Sequence, residues 1–145
     1  MKALVIFDTY YGNTKLIAET ICKEIGTGCR LLHIRGIRSV DLKGLDLLVV
    51  GSPIIGWRPT ERISKMLQTL REGDLRDIKA ASFDTRIKMF LSGDAAKKIS
   101  KGLKKAGADI ISDPAYFFVK GKEGPLLEGE IQKAIEWAKN LKKLL

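Results

Sequence analysis

The chain has 145 residues, of which 45% are hydrophobic and 30% charged, as is typical of one globular domain, residues 1–145. No apolar run approaches the roughly 20 residues that cross a bilayer, and no leader-like segment precedes the first strand, so we expect a cytoplasmic protein without membrane contact. The net charge is +9, but lysines spread over several helices are typical of solvated faces, and we expect no nucleic-acid partner. Many Lys and Glu residues and few amides favour a heat-adapted source.

The first elements in the chain predict an anion site. Residues 3–7 are apolar without alternation, which predicts a strand buried on both faces, and residues 15–25 predict a helix. Residues 9–14, between them, carry hydroxyls, one amide and one glycine, but no charge. Helix N-termini bind anions through free N–H groups. The loop lacks the P-loop and G-x-G-x-x-G motifs, which favours a bound phosphate monoester that is not transferred. The alternative is a polar turn in which Asn13 or Thr14 caps the helix.

The remaining elements alternate between strands and helices. The predicted strands cover residues 31–34, 45–50, 79–83 and 109–111, the last continuing at 116–119 after a break at Asp113-Pro114. The predicted helices begin after Thr60, after Asp94 and near residue 128, and residues 35–44 form a loop with one brief turn. This alternation predicts βαβ units with a parallel sheet and right-handed crossovers.

Two further loops should meet the first one at the carboxyl ends of the strands, where open parallel sheets bind ligands. The loop after the third strand carries Trp57, either a hydrophobic plug or a stacking platform for a planar ring. The loop after the fourth strand offers Asp84, Thr85 and Arg86 without diagnostic spacing. Residues 89–91 either extend the sheet or line a pocket. The two cysteines and His33 fit no metal-binding pattern, so we expect no metal site.

Two motifs carry a family resemblance. Thr9-x-Tyr11-Gly12-Asn13-Thr14 after the first strand, and Gly51-Ser52-Pro53 after the third, resemble loops of the flavodoxin family. Chain length and element order are similar to those of short-chain flavodoxins. The resemblance implies a three-layer αβα sandwich whose five parallel strands have the order 2-1-3-4-5, with non-covalent FMN at the strand ends.

The resemblance also implies roles for individual residues. The FMN phosphate would be bound by residues of the first loop: Thr9, Tyr11, Gly12, Asn13 and Thr14. The isoalloxazine ring would be lined by residues of the second loop, with the last of them stacked on one ring face: Ser52, Pro53, Ile54 and Trp57. The other side of the cofactor would be approached by the third loop: Asp84, Thr85, Arg86 and Ser92.

The function implied by this resemblance is electron transfer through bound FMN, with no catalytic side chain. The basic composition favours acidic redox partner proteins, and we expect a monomer or a weak homo-oligomer. Tyr11 stands where the family usually has Thr or Ser, and it resembles flavodoxin-like quinone reductases. A second hypothesis is therefore an FMN-dependent oxidoreductase acting on a quinone or similar small acceptor. A third is a flavin-free binding module.

Overall fold

The structure is a computed structural model that describes residues 1–88 and 93–145. The strands are β1 (Ala3–Phe7), β2 (Cys29–His33), β3 (Leu47–Pro53), β4 (Lys79–Ile87), β5 (Asp109–Ile110) and β6 (Ala115–Val119). The α-helices are α1 (Asn13–Ile25), α2 (Glu61–Thr69), α3 (Ala95–Lys105) and α4 (Glu130–Lys143). No helix in these two segments combines the length and apolar character needed to cross a lipid bilayer.

The strands form one parallel sheet in the order β2-β1-β3-β4-β5, and β6 also pairs with β4. Lys79 of β4 is in register with Asp109 of β5, and Phe83 is in register with Ala115 of β6. β5 and β6 are therefore two halves of one interrupted strand. Pro114 lies in the break, where proline is expected because it cannot donate a ladder hydrogen bond. The predicted strand order and the interruption of the fifth strand are confirmed.

The core lies on both faces of the sheet. Alternate residues of β1 point to opposite sides: Val5 packs in a cluster with α1 and α4, whereas Ile6 packs in a cluster with α2 and α3. Both faces of the central strands are covered by helices, so these strands are apolar without alternation. The predicted three-layer αβα arrangement is confirmed.

Several boundaries differ from the prediction. β4 continues to Ile87, beyond the predicted end at Phe83, because its polar second half pairs with β6. Two short 3₁₀ turns, Ile34–Gly36 and Ser39–Leu42, replace the predicted loop with one turn. The N-caps Thr60 and Asp94 are as predicted, each accepting a hydrogen bond from a backbone N–H of its helix. The prediction for residues 89–91 lies outside the described residues.

A glycine in the middle of the sheet gives a test of the core. A Cβ added at Gly51 would lie 2.0 Å from Cζ of the buried Phe83 ring. We expect Gly51→Ala to lower the free energy of unfolding by about 1–3 kcal/mol, as overpacked cores do, measured by urea denaturation. Gly36→Ala is the control, because a Cβ there meets nothing within 4 Å. An equal loss in both variants would contradict the steric explanation.

Candidate functional site

A cavity of about 290 Å³ lies at the carboxyl ends of β1, β3 and β4. This is the edge where parallel α/β sheets bind ligands. Nine of the predicted site residues line it, from all three predicted loops: Thr9, Tyr11, Asn13, Thr14, Pro53, Ile54, Trp57, Thr85 and Arg86.

The N-terminus of α1 opens beside this cavity without a side-chain cap. Its N-cap is Gly12 in a left-handed conformation (φ 91°), so the predicted alternative of a cap by Asn13 or Thr14 is wrong. Thr9 Oγ1 accepts a hydrogen bond from the Gly12 N–H at 2.9 Å. Within residues 1–88 and 93–145, the N–H groups of Asn13, Thr14 and Lys15 have no hydrogen-bond partner. The first turn also has no acidic residue, so these N–H groups are available to an anion.

Two side chains of this helix start connect the cavity walls. Thr14 is buried, and its hydroxyl is hydrogen-bonded to the Thr85 hydroxyl of β4 at 2.8 Å. Asn13 Nδ2 donates to the Glu123 carbonyl, in the loop between β6 and α4, at 3.1 Å. These side chains therefore hold the start of α1 against β4 and against a loop about 110 residues away in sequence.

The second wall is a tight turn after β3. The Ile55 N–H donates to the Arg58 carbonyl at 2.8 Å, and Gly56 and Trp57 between them have φ values of 56° and 72°. A left-handed conformation is costly for a bulky residue and is concentrated at functional sites. Trp57 is 55% exposed, and Tyr10 and Tyr11 are 50% and 48% exposed. Aromatic side chains thus surround the cavity mouth, where a planar ring could stack on them.

The third wall contains a buried ion-pair cluster. Arg86 lines the cavity, and its Nε and Nη2 donate to the two carboxylate oxygens of Asp84 at 2.8 and 2.6 Å. Asp84 is fully buried and also accepts from the Ala96 N–H at 2.9 Å. Arg86 Nη2 is 3.4 Å from Asp94 Oδ1, and the Tyr116 ring lies 3.9 Å from the guanidinium. Two carboxylates therefore offset the charge of Arg86.

The same cluster perturbs its titratable groups. Burial, together with the hydrogen bond to Asp94, raises the pKa of Tyr116 to about 12. Burial also raises the pKa of Asp84, and the Arg86 and Ala96 hydrogen bonds only partly counteract it. Arg86 remains charged, because the Asp84 carboxylate outweighs the effect of burial and raises the guanidinium pKa.

Three of the predicted site residues that the structure describes do not line the cavity. Ser52 and Asp84 are buried behind its wall, and Ser52 Oγ donates to the Pro53 carbonyl and accepts from the Thr60 N–H. Gly12 lies at the start of α1, next to lining residues. Ser92 lies outside the described residues.

A buried carboxylate immediately before the first loop was not predicted. Asp8 is fully buried, and Arg62 of α2 donates to both its oxygens at 2.8 and 3.0 Å. The Thr9 N–H donates to it at 2.8 Å. Burial acts to raise the pKa of Asp8, but the hydrogen bonds, first that from Arg62, outweigh it and hold the pKa below its usual value. This pair therefore anchors the start of residues 9–14, the loop between β1 and α1.

His33 completes the surroundings of Asp8. Its Nδ1 accepts from the Arg35 N–H at 3.1 Å, so in the neutral ring the proton is on Nε2, 3.4 Å from Asp8 Oδ1. Burial lowers the pKa of His33, against the opposing effect of Asp8. Within the described residues, no group of three or more His, Cys, Asp or Glu side chains could hold a metal ion.

Sequence reasoning missed six lining residues: Tyr10, Ile55, Gly56, Ile87, Val119 and Lys122. The first four are neighbours of predicted residues. Val119 and Lys122 come from the end of β6 and the loop after it, and no local motif indicates them. Their position at or just after the carboxyl end of a predicted strand could have indicated them, because all parallel strands end at the same edge of the sheet.

A second cavity, of about 670 Å³, lies between the two 3₁₀ turns and α2. Its apolar lining comes mainly from Ile34, Ile37, Leu42, Met66 and Leu70, with basic side chains at its rim. None of the described residues that line this cavity is aromatic, so it offers no stacking surface to a planar ligand.

Comparison with known proteins agrees with this geometry. The sequence model of the family described as "Flavodoxin domain" matches residues 4–140. The chain belongs to the flavodoxin family. A flavodoxin of Aquifex aeolicus (strain VF5) is 38% identical over 65 residues, which cover 39% of this chain and 35% of that relative. The match therefore spans about a third of the length of this curated relative.

Solved flavodoxin structures share the fold. Flavodoxin 2 of Bacillus cereus has a TM-score of 0.84 at 19% identity, with 100% of both chains covered. A flavodoxin from the domain Archaea has a TM-score of 0.80 at 18% identity, with 99% of this chain and 98% of that chain covered. Homologues of the flavodoxin family bind FMN, which confirms the predicted cofactor.

The donor set of the cavity fits FMN. The uncapped start of α1 offers N–H groups to a phosphate, and the neighbouring hydroxyl and amide groups carry no negative charge. The Pro53, Ile54 and Trp57 wall offers an apolar, partly aromatic surface to a planar ring.

Proposed function

We propose that this flavodoxin holds FMN in the cavity at the ends of β1, β3 and β4 and carries electrons between proteins. The observation that supports this most directly is the uncapped N-terminus of α1, whose N–H groups open beside an aromatic-rimmed cavity. Among the described residues, no acidic side chain of the first turn and no side-chain cap offsets the positive end of this helix dipole. The helix start therefore favours a ligand that carries negative charge.

Each wall has a separate role in this proposal. The first loop would bind the phosphate: Thr9, Tyr11, Gly12, Asn13 and Thr14. Pro53, Ile54 and Trp57 would contact the isoalloxazine, and Thr85 and Arg86 would contact the polar part of the cofactor. Ser52 and Asp84 would act indirectly. Ser52 would fix the turn after β3, and Asp84 would fix the Arg86 guanidinium.

FMN supplies the redox chemistry when it is bound, so the protein needs no general acid or base. The chain's own residues bind and orient the cofactor, while the exposed aromatic rim leaves one edge of the site close to solvent. Arg58 and Lys88 are exposed near this rim. Together with the net charge of +9, these two side chains would favour an acidic redox partner. This protein would meet that partner as a monomer or a weak homo-oligomer.

Titration of the flavin-free protein with FMN tests the proposal. We expect quenching of flavin fluorescence, a shifted visible spectrum and a one-to-one end point. Protein that leaves the FMN spectrum and fluorescence unchanged would support a flavin-free module instead.

One observation favours the small-acceptor alternative. Tyr11 lines the cavity and is 48% exposed, so an aromatic hydroxyl stands at the entrance through which a quinone could approach. Steady-state turnover of the FMN-loaded protein with NAD(P)H and a quinone separates the two functions. An electron carrier should give negligible turnover until a reductase is added.

A further inference from the structure

The loop between β6 and α4 is a well-defined turn at the edge of the cavity. Val119 forms an antiparallel bridge with Leu126, and the Lys120 N–H donates to the Pro125 carbonyl at 2.8 Å. The Gly124 N–H donates to the Gly121 carbonyl at 2.9 Å. These bonds fix the backbone conformation of residues 121–124.

This turn packs directly on the helix start that would bind the phosphate. Asn13 Nδ2 donates to the Glu123 carbonyl at 3.1 Å. A Cβ added at Gly124, whose φ is 103°, would lie 2.6 Å from Asn13 Oδ1, so the contact requires glycine. The neighbouring side chain, Lys122, is thereby placed close to the first turn of α1, and it lines the cavity.

Lys122 differs from the other cation that lines the cavity. The charge of Arg86 is offset by Asp84 and Asp94. No ion pair or hydrogen bond involves the Lys122 ammonium among residues 1–88 and 93–145. Residues 9–14 contain no cationic side chain of their own. The fold therefore supplies, from a loop distant in sequence, the positive charge that the first loop lacks.

We propose that Lys122 is the counter-charge of the FMN phosphate and determines the preference for FMN over riboflavin, which has no phosphate. This inference rests on the proposed function. A lysine ammonium on a flexible stem can approach a phosphate as a point charge. Because Lys122 is exposed, salt will screen the interaction, so its effect should be moderate and largest at low ionic strength.

The test compares Lys122→Gln with Lys120→Gln, using FMN and riboflavin as the probes. Lys120 is exposed on the same turn but does not line the cavity. At low salt we expect Lys122→Gln to weaken FMN binding by about 3- to 10-fold, as an exposed charge pair does. Its affinity for riboflavin, and both affinities of Lys120→Gln, should stay within about twofold of the wild type. Added salt should reduce the difference between the variants.

The outcomes separate this inference from the proposed function. Equal losses of FMN and riboflavin affinity in Lys122→Gln would overturn the inference and leave the proposed function standing. Unchanged FMN affinity in Lys122→Gln, or an equal loss of FMN affinity in Lys120→Gln, would also overturn the inference and leave the proposed function standing. Wild-type protein that binds neither flavin would overturn both. Thermal unfolding of the flavin-free variants checks that each of them is folded.

Discussion

Tyr11→Glu should weaken FMN binding by about 5- to 1000-fold. One carboxylate about 4 Å from a phosphate charge costs about 1 kcal/mol in water and about 4 kcal/mol near a protein surface, which sets this range. Tyr11 lines the cavity and is 48% exposed, so the substitution should leave the fold intact. Fluorescence titration with FMN at two salt concentrations measures the effect.

Tyr11→Gln is the matched control, because it has the size of glutamate without its charge. It should retain most of the FMN affinity, apart from the contribution of the aromatic ring. The two variants should differ far less in their affinity for riboflavin than in their affinity for FMN, because riboflavin has no phosphate. If Tyr11→Gln loses as much FMN affinity as Tyr11→Glu, the phosphate is not bound beside this residue.

Arg62→Met should lower the free energy of unfolding at neutral pH by about 3 kcal/mol. Removing one partner of a buried ion pair leaves an uncompensated charge, which costs about 3–5 kcal/mol. The lower end applies here because the Arg62 side chain is 34% exposed, whereas Asp8 is fully buried. Urea denaturation of the flavin-free protein gives the value.

Two comparisons isolate the buried charge in this prediction. Lys65→Met removes a cation from the same helix, but the Lys65 side chain is 70% exposed, so its effect should be within about 0.5 kcal/mol. Adding Asp8→Asn to Arg62→Met should restore part of the lost stability, because the unpaired carboxylate is then absent. No recovery in the double variant would show that lost packing of Arg62 explains the effect.

The pH dependence of Arg62→Met has a definite sign. In the wild type the pKa of Asp8 is lowered, so ionised Asp8 stabilises the fold above its unfolded-state pKa of about 4, and this contribution is lost as pH falls through the folded-state pKa. In the variant, burial without Arg62 should raise the pKa of Asp8. Protonation of Asp8 then removes the free-energy cost of burying an unpaired carboxylate. The stability gap between the two proteins should therefore narrow as pH falls from 7 towards 4.

The fold was largely predictable because its signals are local. Residues of β1 are buried on both faces, so the strand is a continuous apolar run in the sequence. Residues of β4 beyond Phe83 were missed because Asp84 and Arg86 look like loop residues when considered singly. They are stable in a strand because each neutralises the other, and that pairing is not visible from composition.

The candidate site was partly predictable for a related reason. Ser52 is in register with Asp84, and Pro53 is in register with Thr85. Pro53 and Thr85 line the cavity, whereas Ser52 and Asp84 are buried on the other face of the sheet, as the alternation of side chains along a strand predicts. Arg86 has the parity of Asp84 but lines the cavity, because it lies closer to the end of β4. A motif identifies the segment that reaches the site, but the strand face and the distance from the strand end together decide which of its side chains line the cavity.

The amino-acid sequence by itself determined the alternation of strands and helices, the family and the loop that begins α1, because each depends on residues close together in the chain. Only the tertiary structure decided that Arg62 neutralises Asp8 and that Lys122 lines the same cavity as Asn13. Those pairs are separated by 54 residues in the first case and by more than 100 in the second. Contacts of that range arise only when the sheet brings the ends of its strands to one edge.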